Sequence, residues 1–180
     1  MIIGLTGLHC SGKSFISNIL VKILNFKYIN KRDFIKNYYI INIIERKGDF
    51  LENRFIEWYR EKYKTLGGYK FMQEVFKNFD FSINIIIDAI HNVEEWEFFM
   101  NFSNKSILIY VVTPRNVRNN RDKNKVLLDK NRISSWHSLY SITSYSNCLL
   151  SFVEWSFNGA LDKIDLENDV YKFKKTIIEN

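Results

Sequence analysis

The strongest constraint on this chain lies in its first fourteen residues. The apolar run Met1-Ile2-Ile3-Gly4-Leu5-Thr6 passes directly into Gly7-Leu8-His9-Cys10-Ser11-Gly12-Lys13-Ser14, the spacing G-x-x-x-x-G-K-S. Phe15, Ile16, Ile19, Leu20, Ile23 and Leu24 follow at helical intervals. A glycine-punctuated turn between a strand and a helix lets successive backbone N–H groups point into one concavity, and the helix N-terminus adds its positive dipole end. Such a nest binds phosphate. Gly7 and Gly12 make the turn, and Leu8, His9, Cys10 and Ser11 lend their backbone to the cradle. Lys13 is placed to reach the β- and γ-phosphates of a nucleotide such as ATP, and the Ser14 hydroxyl to ligate Mg2+. The alternative is a Gly-Lys-Ser helix start that binds nothing; the strand before it and the helix after it weigh against that.

Apolar runs and helical patterns alternate through the rest of the 180 residues, which predicts an α/β chain with a mostly parallel sheet. Strands are expected at Ile2–Thr6, Lys27–Ile29, Ile83–Ile87, Ser106–Val112 and Leu149–Phe157. Helices are expected at Lys13–Leu24, Asp33–Ile44, Phe50–Tyr63, Tyr69–Asn78, Val93–Phe102, Pro114–Asn120 and Asp165–Glu179. Pro114 sits where it can open a helix, and Gly67-Gly68 reads as a break between two. Nothing marks a linker, so one domain over 1–180 is expected. The hydrophobic fraction of 46% suits a packed core. No apolar stretch approaches the ~20 residues that cross a bilayer, and the N-terminus lacks the form of a signal peptide. The expectation is a cytoplasmic protein without membrane partners. Cys10 and Cys148 are too few for a disulfide framework and lack metal-ligand spacing. Cys148 reads as a small buried hydrophobe, and Cys10, beside a helix N-terminus, as a thiol whose pKa that position can lower.

Several residues outside the loop carry candidate chemistry. Asp88 ends the run Ile83–Ile87 at the sheet edge where α/β proteins bind ligands, and beside a phosphate loop it would hold magnesium directly or through water. Asp33 follows the short second strand; it either caps the helix beginning at Phe34 or orients an acceptor group, and the two roles are compatible. Arg115, Arg118 and Arg121 recur at intervals of three along one helix face, with Arg132 further on. They form either a solvated basic face or a clamp on a moving phosphoryl group, and the nearby loop favours the clamp. His9, His91 and His137 are too widely spaced to suggest a metal triad. The polar stretch 120–147 is either a flap over a ligand or an exposed loop with short helices.

Taken together, these segments resemble the P-loop nucleoside and nucleotide kinase superfamily. The opening is similar to dephospho-CoA kinases, and more closely to archaeal adenylate-kinase-like proteins and the kinase-like domains fused to deoxycytidylate deaminases. The resemblance extends through Arg32-Asp33-Phe34-Ile35, Arg60–Tyr63 with Gly67-Gly68-Tyr69, Ile86-Ile87-Asp88-Ala89-Ile90-His91-Asn92 through Glu95, Pro114…Arg118…Arg121, and Phe157-Asn158-Gly159. It implies a three-layer α/β/α fold with a sheet of about five parallel strands, acceptor-binding helices within 33–78 and a lid near 121–145. It assigns phosphates and magnesium to Lys13 and Ser14, the acceptor's flanks to Asp33 and Asp88, and the lid side to Arg118 and Arg121. Where the family carries arginine at an acceptor-binding position, this chain has His91, and a neutral imidazole cannot make the forked contact of a guanidinium with phosphate.

The implied activity is ATP- and Mg2+-dependent phosphoryl transfer to a nucleoside monophosphate, including deoxynucleotides, or to a dephospho-CoA-like acceptor. The alternative is a catalytically degenerate nucleotide-binding subunit of a larger assembly, with Trp96, Trp136 and Trp155 as exposed contacts for a protein partner. Net charge +6 suits a polyanionic ligand, but the basic residues are scattered and match no nucleic-acid-binding motif, which argues against nucleic acid as a partner.

Overall fold

The central strands are apolar at almost every position, as strands covered on both faces must be. The computed structural model describes residues 1–44, 52–128 and 149–179. Its elements run β1 (Ile2–Thr6), α1 (Lys13–Leu24), β2 (Lys27–Asn30), α2 (Lys31–Tyr39), α3 (Glu52–Phe76), β3 (Ile85–Asp88), α4 (Val93–Met100), β4 (Ser106–Val112), α5 (Arg115–Leu128), β5 (Val153–Asn158) and α6 (Lys163–Phe173). The five strands form one parallel sheet in the order β2-β3-β1-β4-β5.

Alternation along each strand divides the sheet's side chains between two cores. Ile2, Ile85, Ile87 and Leu108 join Phe55, Phe71, Phe76, Trp96, Phe98 and Phe99 beneath α2, α3 and α4. Ile3, Leu5, Ile86, Ile107, Ile109 and Val111 join Ile16, Ile19, Leu20, Leu166, Val170 and Phe173 beneath α1 and α6. The chain is thus a three-layer α/β/α sandwich. Its first core is bound by rings, among them Phe34 stacked on Phe76 at 4.3 Å; full burial of each such side chain contributes about 1.5–3 kcal/mol. Because all strands run the same way, the loops after β1, β2, β3, β4 and β5 open at one edge.

All five expected strands form, β1 and β4 with the expected ends and the other three with shifted ones. β3 begins at Ile85, and β5 begins at Val153 because Leu150–Phe152 turns as a 3-10 helix first. α2 starts at Lys31, two residues early, because Asn30 and not Asp33 is its cap: the Asn30 side chain accepts from the Asp33 N–H at 3.2 Å. α3 covers both helices expected around Gly67, where the backbone leaves helical geometry (φ 74°, ψ 169°). α5 continues to Leu128 instead of stopping at Asn120. Trp96 is a correction: it is 1% exposed and packs over Gly4, so it is core and not a partner contact. Trp155 is half-buried against the second core. Trp136, Arg132, His137, Cys148 and most of the expected lid lie outside the described residues. No helix among the described residues is long and apolar enough to cross a membrane.

Candidate active site

The loop after β1 has the backbone its sequence requires. Gly7 and Gly12 adopt φ of 143° and 97°, and Gly12 caps α1 in the left-handed region, which a side chain would strain. Lys13 Nζ donates to Gly7 O at 2.9 Å and Leu8 O at 3.0 Å. The ammonium therefore closes over the loop's own carbonyls. Ser14, in the first turn of α1, is exposed.

Neighbouring strands hold the loop's far side. Thr113, just beyond β4, donates its hydroxyl to Ser11 O at 2.6 Å. The Gly159 N–H donates to Val112 O at 2.8 Å, bringing the β5 turn alongside. Arg121 bridges these parts, donating Nη1 to Cys10 O at 3.3 Å and Nη2 to Gly159 O at 2.8 Å. Arg118 donates Nε to Thr113 O at 3.1 Å. The threefold arginine spacing thus brings Arg118 and Arg121 to the loop, while Arg115 stays exposed.

On the other side of β1, the ends of β2 and β3 carry a buried polar cluster. Asp88 is 4% exposed; its Oδ2 accepts from the Tyr28 hydroxyl at 2.6 Å, and its Oδ1 makes no well-formed hydrogen bond, although the Lys31 backbone N–H also pulls on the carboxylate. Burial pushes its carboxyl above the ordinary value of 3.8, against the opposing pull of Tyr28, Lys13 and Lys31. Burial, with the Asp88 carboxylate next, likewise raises the Tyr28 phenol, and the charge of Asp33 adds to it. That places exposed Asp33 within electrostatic reach of the cluster. Burial, and then the charges of Lys31 and Lys13, hold the His91 imidazole well below 6.5, which favours its neutral form.

Beneath them lies a pair that no local pattern announces. Lys31 Nζ donates to Glu95 Oε2 at 2.6 Å, with the two side chains 2% and 0% exposed. The same oxygen accepts from the His91 N–H at 2.7 Å. Glu95 Oε1 is buried without a partner, and the Tyr63 hydroxyl faces Glu95 without a well-formed hydrogen bond. Glu94 accepts from the Gly68 N–H, tying the start of α4 to the break in α3. One sequence signal was available for Glu95: it stands three residues after Asn92, whose side chain caps α4 by accepting from the Glu95 N–H at 2.9 Å. Its ion pair spans 64 residues and leaves no trace in spacing.

Magnesium takes hard oxygen donors. Asp88 supplies a buried carboxylate oxygen that makes no well-formed hydrogen bond, and Ser14 an exposed hydroxyl, so the residues present fit that ion.

No family model and no curated protein sequence matches the chain. Solved structures do. Shikimate kinase from Bacteroides thetaiotaomicron is similar at TM-score 0.56 and 17% identity, over 100% of this chain and 99% of that one. Shikimate kinase from Acinetobacter baumannii in complex with shikimate is similar at TM-score 0.54 and 18% identity, over 99% and 93%. Deoxyadenosine kinase from M. mycoides, with the products dCMP and a flexible dCDP bound, is similar at TM-score 0.51 and 15% identity, over 98% and 100%. These likenesses show that the chain shares the α/β/α fold of those shikimate and deoxyadenosine kinases.

Proposed function

We propose that the chain is an ATP- and Mg2+-dependent phosphotransferase for a small-molecule acceptor. The observation that carries this reading is the convergence, at one sheet edge, of a phosphate loop capped by Lys13 and a buried Asp88 with one oxygen in no well-formed hydrogen bond. ATP phosphates would replace the Gly7 and Leu8 carbonyls as partners of Lys13, and the loop N–H groups would hold their oxygens. Ser14 and Asp88 would hold the magnesium ion, which supplies charge neutralisation at the transferring phosphate. Arg118 and Arg121 stand on the loop's other side to offset charge on the moving group. Asp33 orients the acceptor.

Of the acceptors considered, a hydroxyl compound of the dephospho-CoA kind is better supported than a nucleoside monophosphate's phosphate. His91 takes the place where the resemblance puts arginine, and its imidazole favours the neutral form. At the same edge the Asp88 carboxylate is an acceptor that favours a hydroxyl over an anion. In the transfer, the acceptor oxygen would bond to the γ-phosphorus, the bond from that phosphorus to the β,γ-bridging oxygen would break, ADP would leave, and the hydroxyl proton would pass to the Asp33 carboxylate. The similar enzymes bind shikimate or deoxynucleotides, and this chain's acceptor belongs to the same size class.

The test is Mg-ATP phosphoryl transfer followed by phosphorus NMR, against nucleosides, nucleoside monophosphates, deoxynucleotides, shikimate and dephospho-CoA. Transfer to a hydroxyl acceptor is expected, falling roughly 10²–10³-fold in Lys13→Ala, the loss typical of removing one transition-state donor. Full turnover by a folded Lys13→Ala protein would refute the mechanism. Transfer only to phosphate acceptors would refute the acceptor assignment.

A further inference from the structure

Two loop residues that the phosphate-binding reading uses only for their backbone meet a third residue from α5. His9 Nε2 stands 3.1 Å from Asp122 Oδ1, and Cys10 Sγ stands 3.8 Å from the same oxygen. The nitrogen, sulfur and oxygen atoms of the three side chains all lie within 4.8 Å of one another, and no other such group occurs among the described residues. From the sequence these residues look unrelated, since 112 positions separate Cys10 from Asp122.

We propose that His9, Cys10 and Asp122 form a binding site for a zinc-class divalent cation, which staples α5 to the phosphate loop. The donor set carries the choice of metal. One imidazole nitrogen, one thiolate sulfur and one carboxylate oxygen suit borderline Zn2+, whereas magnesium prefers oxygen throughout. Geometry agrees. Zinc bonds of about 2.0–2.1 Å to nitrogen, 2.3 Å to sulfur and 2.0–2.2 Å to oxygen, opened to tetrahedral angles, set ligand atoms roughly 3.3–3.7 Å apart. The separations to Asp122, 3.1 and 3.8 Å, bracket that range, and the third, between His9 and Cys10, is within 4.8 Å, so a modest side-chain adjustment admits the ion. Three protein ligands leave one tetrahedral position for water.

The frame around the ligands is already fixed. Arg121, adjacent to Asp122, is anchored on Cys10 O and Gly159 O. Cys10 is 8% exposed, while His9 and Asp122 retain 38% and 32% exposure, an entry path for the ion. A bound metal would hold the middle of α5 against the loop after β1 and so set how freely the two separate. The site is distinct from that of Ser14 and Asp88, and it stands whether or not the chain transfers phosphoryl groups.

The test titrates the metal-free full chain with Co2+ as a spectroscopic probe, followed by displacement with Zn2+. One equivalent should produce a thiolate-to-cobalt charge-transfer band and tetrahedral visible absorption. The band should persist in Cys148→Ser and vanish in Cys10→Ser. Asp122→Asn and His9→Gln should weaken affinity by at least roughly 10–100-fold, the loss that follows when only a ligand's supporting partner is removed. Zn2+ should raise the melting temperature of the wild type but not of Asp122→Asn. X-ray absorption of the zinc-loaded wild type, which needs no variant to fold, should show one sulfur and nitrogen or oxygen neighbours. Absence of the charge-transfer band, its survival in Cys10→Ser, or unchanged affinity in Asp122→Asn would overturn the proposal and leave His9–Asp122 as a simple hydrogen-bonded pair.

Discussion

The two sides of the sheet edge are built from different materials. Around the loop, the cations Lys13, Arg118 and Arg121 rest on main-chain carbonyls, and the anion cradle itself is backbone. Around β2 and β3, side chains meet side chains: Lys31 with Glu95, Tyr28 with Asp88, and Tyr63 against Glu95. The loop side holds positive charge in half-exposed positions where a nucleotide can exchange for the carbonyls. The other side buries its charges and leaves carboxylate oxygens without a well-formed hydrogen bond. On the proposed function, the first side would receive anions and the second would engage a neutral polar group.

The contrast breaks most visibly at the buried pair. Lys31→Met leaves the Glu95 carboxylate without its counter-ion at 0% exposure and should destabilise the fold by about 3–5 kcal/mol, as removal of one partner from a buried pair does. Lys31→Met combined with Glu95→Gln should recover most of that loss, because the charge goes while an acceptor for the His91 N–H remains. Lys13→Ala, across the edge, should shift stability far less while removing transfer. Urea midpoints of the four proteins decide it; a neutral Lys31→Met would mean the pair is solvated, and the two sides are then not different in kind.

That difference also explains what the sequence made legible. Loop, strands and the position of Asp88 depend on contiguous spacing: a glycine pattern between an apolar strand and an apolar helix, and a carboxylate closing an isoleucine run. Arg118 and Arg121 were legible for the same reason, since three-residue spacing places them on one helix face. Their partners were not, because carbonyls of Cys10, Thr113 and Gly159 become neighbours only when the sheet assembles. The sequence singled out nothing at Lys31, and it left Asp33 open between a helix cap and a group orienting the acceptor. Asn30 took the cap, which left Lys31 free to turn inward toward a residue 64 positions away.

A smaller effect tests the loop side. A Cβ on Gly159 would run into Ser11 O and lie 2.5 Å from Thr113 Oγ1. Backbone cannot yield to it, so Gly159→Ala should push the β5 turn away from the loop and draw Arg121 with it. Overpacking of this sort costs about 1–3 kcal/mol, and ATP affinity measured by calorimetry should fall with it. Gly68→Ala, on the opposite side, meets the Tyr63 hydroxyl at 2.7 Å. That contact, and those with Asn92 Oδ1 and Glu94 Cβ at 3.1 Å, lie away from the loop after β1, so ATP affinity should hold. Equal losses in the two variants would show that the cradle and the polar cluster move as one body.

The smallest effect is a slope. Because His91 is held neutral well below its ordinary 6.5, the unfolded chain gains a proton below that pH while the folded chain does not. Stability is therefore lost as pH falls below 6.5, by at most about 1.4 kcal/mol per pH unit for one proton. Asp88 acts with the opposite sign: its raised carboxyl keeps its proton in the folded chain above 3.8, so its contribution is largest at low pH and is lost as pH rises through the folded value. His91→Gln removes only the first dependence. Urea midpoints measured downward from pH 6.5 should fall less steeply in the variant than in the wild type. An unchanged slope would mean the imidazole already takes its proton in the folded protein; the position would then offer a cation to the acceptor, and a phosphate acceptor would regain the support that a neutral His91 denies it.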